Sequence, residues 1–140
     1  MKIVLDANVF LNVIFEEKQF LEASRKMLKQ IEMKKHDAYI SSITLAEIVW
    51  IVHKESGYKK AKEVQSYLRE LSELQIIKVL TLENSIVYGM LNLVEKYNLT
   101  FVDALIVSTA IKTKSNLVTR DDEIKKKIKE IKVKIPDDFT

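Results

Sequence analysis

Residues 3–8 read Ile3-Val4-Leu5-Asp6-Ala7-Asn8, and this stretch decides the fold. Three consecutive apolar residues, two of them β-branched, fit a short strand rather than a helix. An acid and an asparagine follow at once, where the chain has to turn. The same pattern recurs at Ala38 to Ile40 before Ser41-Ser42, at Ile76 to Leu80, and at Leu117-Val118 before Thr119-Arg120-Asp121. Val133 and Ile135 make a last edge strand that Pro136 ends. Short β-branched runs alternating with longer helical patterns are the signature of a parallel sheet with crossover helices.

The segments between these runs carry the helices. Phe20, Ser24, Met27, Leu28 and Ile31 recur at helical spacing, with Glu22, Arg25, Lys26, Lys29 and Gln30 on the wet face. Thr44-Leu45-Ala46-Glu47 opens a hydrophobic helix to about His53, Gly57 breaks it, and Ala61, Val64, Leu68 and Leu71 stripe the next. A further helix runs through Ile86, Val87, Met90, Leu91, Val94 and Tyr97. Thr100 then caps a segment, Val102 to Ile111, that is apolar nearly all round and therefore central and buried. After Asp121-Asp122 a lysine-rich helix is expected.

Composition bounds the rest. A chain of 140 residues fits one domain over 1–140, able to bury roughly two-thirds of its unfolded surface. Two glycines and one proline leave no material for a flexible linker or for an all-β fold with its frequent tight turns. Without cysteine, disulfides, thiolate zinc sites and cysteine nucleophiles are excluded, which is compatible with a reducing cytoplasm. The longest strictly apolar run is Ile48 to Val52, far short of the roughly 20 residues that span a bilayer. The expectation is a cytoplasmic protein with no membrane segment and no signal peptide. The net charge of +3 identifies no partner; the placement of the charges matters more.

In an open parallel sheet, ligands bind beyond the carboxyl ends of the strands. Asp6 follows the first strand, Glu47 lies shortly after the second, Asp121 follows the fourth, and Asp103 sits in the first turn of the buried helix. Each also has a structural reading. Thr44-x-x-Glu47 and Thr100-x-x-Asp103 match the capping box, Asp121 or Asp122 fits an N-cap, and Asp6 a turn. As a set they say more, because Asp6 and Asp103 border very hydrophobic segments where an unpaired carboxylate is costly to desolvate. Converging carboxylates would neutralise one another by protonation unless a cation joined them. Oxygen ligands without cysteine or paired histidines favour a hard ion, Mg²⁺ or Mn²⁺, over zinc. Such a site suits phosphodiester hydrolysis, in which the ion activates water and offsets charge on the phosphate.

Four segments then carry a family resemblance. Leu5-Asp6-Ala7-Asn8-Val9, Ser42-Ile43-Thr44-Leu45-Ala46-Glu47-Ile48, Thr100-Phe101-Val102-Asp103-Ala104-Leu105-Ile106 and Leu117-Val118-Thr119-Arg120-Asp121 resemble, in order, the motifs of PIN-domain nucleases, most closely the small VapC-like toxin ribonucleases. The resemblance covers essentially the whole chain. It implies a three-layer α/β/α fold with a five-stranded parallel sheet and a helical arm. It further implies Mg²⁺- or Mn²⁺-dependent endoribonuclease activity on RNA, a homodimer, and a cognate antitoxin whose tail occupies the active-site groove. Carried over residue by residue, it makes Asp6, Glu47, Asp103 and Asp121 the catalytic and metal-binding acids, with Asn8 and Thr119 bracing the first and last by hydrogen bonds.

Other features are less specific. Lysines at 125, 126, 127, 129, 132 and 134 read either as a solvated helix face or as a phosphate-contacting rim. Arg120, beside Asp121, is the basic residue placed to reach a substrate phosphate. His36 and His53 lack metal-ligand spacing and read as surface or packing residues, and Trp50 as core or dimer interface. Tyr58 and Tyr67 fit a partner surface, and the helical pair around Gly57 fits an antitoxin-docking hairpin.

Competing functions are weaker. A haloacid-dehalogenase-type phosphatase needs a second acid two residues after its nucleophile, where this chain has Asn8. A phosphate receiver needs an acid after the third strand, where Leu80-Thr81-Leu82 stands. A PIN ribonuclease of RNA processing, or a non-catalytic PIN-like module binding RNA or protein, remains as the alternative to a toxin.

Overall fold

A computed structural model describes residues 1–139; Thr140, the last residue of the expected 1–140 domain, lies outside the described residues. Five strands form one sheet: β1 (Lys2–Leu5), β2 (Asp37–Ser41), β3 (Ile77–Leu80), β4 (Asn116–Val118) and β5 (Val133–Lys134). Every pairing is parallel and the order is β3-β2-β1-β4-β5. The helices are α1 (Ala7–Ile14), α2 (Leu21–Glu32), α3 (Ser42–Glu73), α4 (Asn84–Tyr97), α5 (Phe101–Thr113) and α6 (Asp122–Lys127), followed by a 3-10 turn at Pro136–Phe139.

Successive residues of a strand point to opposite faces, so β1 supplies two cores. Ile3 and Leu5 join Ala38, Ile40 and Ile77 against Phe10, Met27, Ile31, Ile48 and Val52 from α1, α2 and α3. Val4, with Leu117, packs on the other face against Ala104, Val107 and Ala110 of α5, Leu93 of α4 and Ile124 of α6. Each large apolar side chain fully buried in this way contributes about 1.5–3 kcal/mol. The expected three-layer α/β/α arrangement follows. α5 is its most enclosed helix, with every residue from Ala104 to Ala110 buried. Gly89 lets α4 approach it, since a Cβ there would stand 3.0 Å from Ser108 Oγ, whose hydroxyl donates to Ile86 O at 2.8 Å.

The topology fixes where a site can form. From β1 the chain moves to β2 and β3 on one side, then returns to β4 and β5 on the other. The crevice beyond Leu5 and Val118, which are register partners, is therefore the switch point of the sheet. The Asp6 N–H donates to Val118 O at 2.9 Å, extending the ladder to the first acid.

Several expectations need correction. The segment after Asp6 is helix α1; its apolar residues 9–11 and 13–15 mask the helical period in the sequence. Ser41, not Thr44, caps α3, its hydroxyl accepting from Ile43 N–H at 3.3 Å, and Thr44 is fully buried inside the helix. The lysine-rich helix stops at Lys127, so Ile131 and Lys129, Lys132 and Lys134 do not share its face. Ile135 is outside β5, its N–H donating to the Asp138 carboxylate at 2.9 Å. Trp50 is not core: it is 62% exposed, with the Lys54 ammonium 5.2 Å from its ring centroid. His36, by contrast, is a packing residue as expected, edge-on to Phe139 at 5.3 Å and bonded to Gln30 at 2.8 Å.

Gly57 interrupts α3 as expected, with φ +87° and ψ 178°, a region essentially restricted to glycine. The two halves of α3 diverge there to form the arm, with a groove of about 1040 Å³ between them lined by Leu45, Val49, Trp50, Tyr58, Ala61 and Leu68 among others. Gly57→Ala meets no steric neighbour, so its whole cost is backbone strain of about 1–3 kcal/mol. The expected result is a Tm lowered by several degrees; an unchanged Tm would show that the kink tolerates an ordinary residue.

Candidate functional site

Asp6 leaves β1 in extended conformation and caps α1, its Oδ1 accepting from Ala7 N–H at 2.7 Å. Its other oxygen accepts from the Thr119 hydroxyl at 2.7 Å and from Asn8 Nδ2 at 3.4 Å. Asn8 also donates to Thr119 Oγ1 at 3.2 Å, and its carbonyl oxygen accepts from the Arg120 N–H at 2.9 Å. The Asp121 N–H donates to Thr119 Oγ1 at 3.1 Å. One network of hydrogen bonds thus ties the end of β1 to the loop after β4. Thr119 is fully buried and Asp6 nearly so.

The remaining acids arrive from other elements. Asp103 lies in the first turn of α5, its N–H bonded to Thr100 Oγ1 at 3.3 Å. Asp121 caps α6, accepting from Glu123 N–H at 2.9 Å and Ile124 N–H at 3.3 Å. Glu47 projects from the first turns of α3, half-buried, and makes no hydrogen bond or ion pair with the described residues. The capping reading and the site reading are compatible, because a carboxylate that caps a helix through one oxygen keeps lone pairs for other partners.

The acids lie within electrostatic reach of one another in pairs. Burial pushes the Asp6 carboxyl up to about 6, against the lowering hydrogen bonds from Thr119 and Ala7, and the charges of Asp103 and Asp121 add to the rise. Glu47 is raised by burial and then by Asp6 and Asp103. Asp103 is raised by burial and by Asp121, with its Thr100 hydrogen bond opposing. Among the described residues no lysine or arginine forms an ion pair with any of the four. Acids brought into mutual repulsion without a positive partner are matched to a cation.

The donor set fits a hard ion, being all oxygen and held by neutral donors. Among the described residues, however, no group of three His, Cys, Asp or Glu side chains stands close enough to form one coordination shell. An ion such as Mg²⁺, which takes one or two carboxylates and keeps several waters, does not require such a group.

Arg120 takes a course that its sequence position did not reveal. Its guanidinium pairs through Nη1 with Asp137, and Cζ stands 4.5 Å from the centroid of the Phe20 ring. Asp137 and Phe20 are neighbours of the site that the sequence reading missed. The only sequence signal available was an acidic pair, Asp137-Asp138, following the proline that ends the last strand.

The family model of the PIN domain matches residues 3–130, leaving the Pro136–Phe139 turn beyond the matched span. No curated protein matches the chain significantly. Solved structures share the fold. VapBC2 from Rickettsia felis, bound to a DNA fragment from its promoter, has a TM-score of 0.71 and 23% identity over 96% of this chain and 98% of that one. The DNA-bound VapBC of Salmonella typhimurium has a TM-score of 0.73 and 18% identity, covering 97% and 98%. VapC20 of Mycobacterium tuberculosis, described as a sarcin-ricin loop cleaving toxin, has a TM-score of 0.72 and 13% identity, covering 93% and 98%.

The raised Asp6 carboxyl has a consequence for stability. The Asp6 carboxyl rises from the ordinary aspartate value of 3.8 to about 6, so between these values the folded chain retains a proton that the unfolded chain releases. Its contribution is fully present below pH 3.8 and is lost as pH rises through 6, a change of at most about 3 kcal/mol. In EDTA, Asp6→Asn, which keeps an acceptor for Thr119 and carries no charge, is expected to melt several degrees above the parent at pH 7.5. The gap should close toward pH 4. Equal melting temperatures at pH 7.5 would show that the buried charge imposes no cost.

Proposed function

Since the chain belongs to the PIN-domain family, we propose that it is a Mg²⁺- or Mn²⁺-dependent endoribonuclease, and the toxin of a toxin–antitoxin pair, acting in the cytoplasm as one domain over residues 1–140. The observation that carries the reading is the set of four carboxylates, Asp6, Glu47, Asp103 and Asp121: burial, with the charges of other acids of the set, raises the proton affinity of Asp6, Glu47 and Asp103, and among the described residues no basic side chain is paired to any of the four. These four would hold the ion, directly or through water. Bound there, the ion would lower the pKa of water and offset charge developing on the phosphate.

The chain's own part is orientation and proton transfer. Ala7 N–H, Thr119 Oγ1 and Asn8 Nδ2 fix both oxygens of Asp6, so the first ligand does not have to be ordered when the ion binds. Thr119 braces Asp121 through its amide. Glu47, unbonded among the described residues and raised by burial and by the charges of Asp6 and Asp103, is the acid suited to take a proton from an attacking water.

Two surfaces support the expected partners. The groove of the α3 arm, with Trp50 62% and Tyr58 66% exposed at its lining, fits an apolar segment of the expected antitoxin. Val87, Tyr88 and Leu91 lie together on α4, with Tyr88 and Leu91 77% and 68% exposed, and fit a homodimer contact. No helix among the described residues is long and apolar enough to cross a membrane.

The central test incubates purified protein with total cellular RNA, with and without Mn²⁺, and maps new 5′ ends. Discrete Mn²⁺-dependent cuts are expected, abolished by EDTA and reduced about 10²-fold or more by Asp6→Asn or Asp103→Asn. Cleavage that survives EDTA and both substitutions would overturn the reading. Mn²⁺ binding with no cleavage would favour the non-catalytic PIN-like module instead. Separately, Leu91→Arg is expected to convert a dimer to monomer in sedimentation analysis; a parent that is already monomeric would remove the dimer proposal.

A further inference from the structure

Arg120 has two sets of contacts. Its main chain belongs to the acidic crevice, with its N–H on Asn8 Oδ1 and its neighbours Thr119 and Asp121 bonded within the Asp6 network. Its side chain belongs to the end of the molecule. One guanidinium nitrogen, Nη1, pairs with Asp137, and the plane rests against Phe20, the residue preceding α2. The side chain is only 11% exposed, and Nε and Nη2 are buried with no hydrogen-bond partner.

That arrangement is costly, because enclosed, unpaired donors on a charged group forfeit their hydration. It also disqualifies the guanidinium as a phosphate contact in this conformation, since two nitrogens are enclosed and the third is taken. What the burial does provide is a fixed position. Arginine's planar fork, pinned by a carboxylate at one edge and an aromatic ring on one face, has little rotational freedom left.

The Pro136–Phe139 turn is itself secured at several points. The Asp138 carboxylate accepts from Ile135 N–H at 2.9 Å, closing the turn on itself, and from the Lys125 ammonium at 3.3 Å, tying it to α6. Pro136 is buried. The Phe139 carbonyl accepts from Gln30 Nε2 at 2.7 Å and its ring meets His36 edge-on, tying the turn to α2. Asp137 is therefore presented from a fixed base, and this base lies beyond the span that the family model matches.

We propose that Arg120 is a positioning residue, clamped between Asp137 of the C-terminal turn and Phe20, and that this clamp sets where Thr119 and Asp121 present their oxygens to the crevice. The kinetic consequence rests on the nuclease reading; the structural consequence does not. The two are tested together with Asp137→Ala, Arg120→Lys and Phe20→Leu.

Amide hydrogen exchange reads the clamp directly. Asp137→Ala is expected to speed exchange at the Arg120 and Asp121 amides by about tenfold or more while leaving the β1 amides unchanged. Titration with Mn²⁺ alone should show weaker binding. RNA cleavage should lose about tenfold in kcat with KM within about twofold, as expected for a displaced group rather than a lost substrate contact. Arg120→Lys should behave likewise, since an ammonium cannot replace the planar fork. Where Asp137→Ala does not fold, Phe20→Leu removes the other jaw and must give the same signature.

Unchanged exchange at residues 120 and 121 would overturn the clamp. So would a raised KM with kcat preserved in Arg120→Lys, which would make the side chain a phosphate contact. A parent that cleaves no RNA, with exchange still responding to Asp137→Ala, would remove the nuclease reading and leave the clamp standing. A parent that cleaves, with variants equal to it in exchange and kcat, would do the reverse.

Discussion

The carboxylate of Asp6, buried at the end of the central strand, is the constraint on which the rest of the structure turns. It sits where β1 meets its neighbour β4, and it is desolvated enough to move its proton affinity into the range near neutrality. A lone buried carboxylate is stabilised either by a positive partner or by a proton. Here it has neutral donors on both oxygens and other acids in electrostatic reach. Folding alone gains nothing from this arrangement. On the proposed function, a bound cation would relieve the cost of ionising this carboxyl.

The sheet topology makes that concentration of charge possible. Parallel strands all end on one edge, and the reversal of direction between β1 and β4 opens a crevice there that no crossover helix fills. Asp6 and Asp121 come from the two strands that flank the crevice, and Glu47 from the helix that follows β2. Asp103 comes from α5, whose enclosure from Ala104 onward fixes the first turn in place. The side chains are thus held by rigid elements rather than by a mobile loop, as precise positioning of a site requires.

How much of this was legible in the sequence depended on whether the signal was local. Ile3-Val4-Leu5 ending in Asp6 could be read because a buried parallel strand is a short apolar run with a polar stop. The Thr100 cap and the all-round apolar α5 were readable for similar reasons. The helix α1 was not, because its apolar residues on both sides of Asn12 blur the period of 3.6 that distinguishes a helix. The lysine-rich segment misled in the opposite way. Ile124, Ile128 and Ile131 keep helical spacing, yet the backbone turns extended at Ile128 and Val133-Lys134 is drawn into the sheet. Trp50, read as core or dimer interface, is 62% exposed on the arm. In each case a tertiary contact decided against the local pattern.

Arg120 illustrates the same limit at the level of chemistry. In sequence it adjoins an acid of the site, and adjacency invites the inference that its charge serves a phosphate. Past the end of β4, however, the chain bends at Arg120, and its side chain leaves the crevice for Phe20 and Asp137. Its destination is set by a residue 17 positions later, Asp137, on a turn held to α2 and α6. A long-range ion pair leaves no periodic trace, because nothing about Asp137 in the sequence names its partner. The acids of the crevice could be read from strand ends because topology brings every strand end to one edge. The residues that hold those acids steady come from wherever the fold happens to pass behind them.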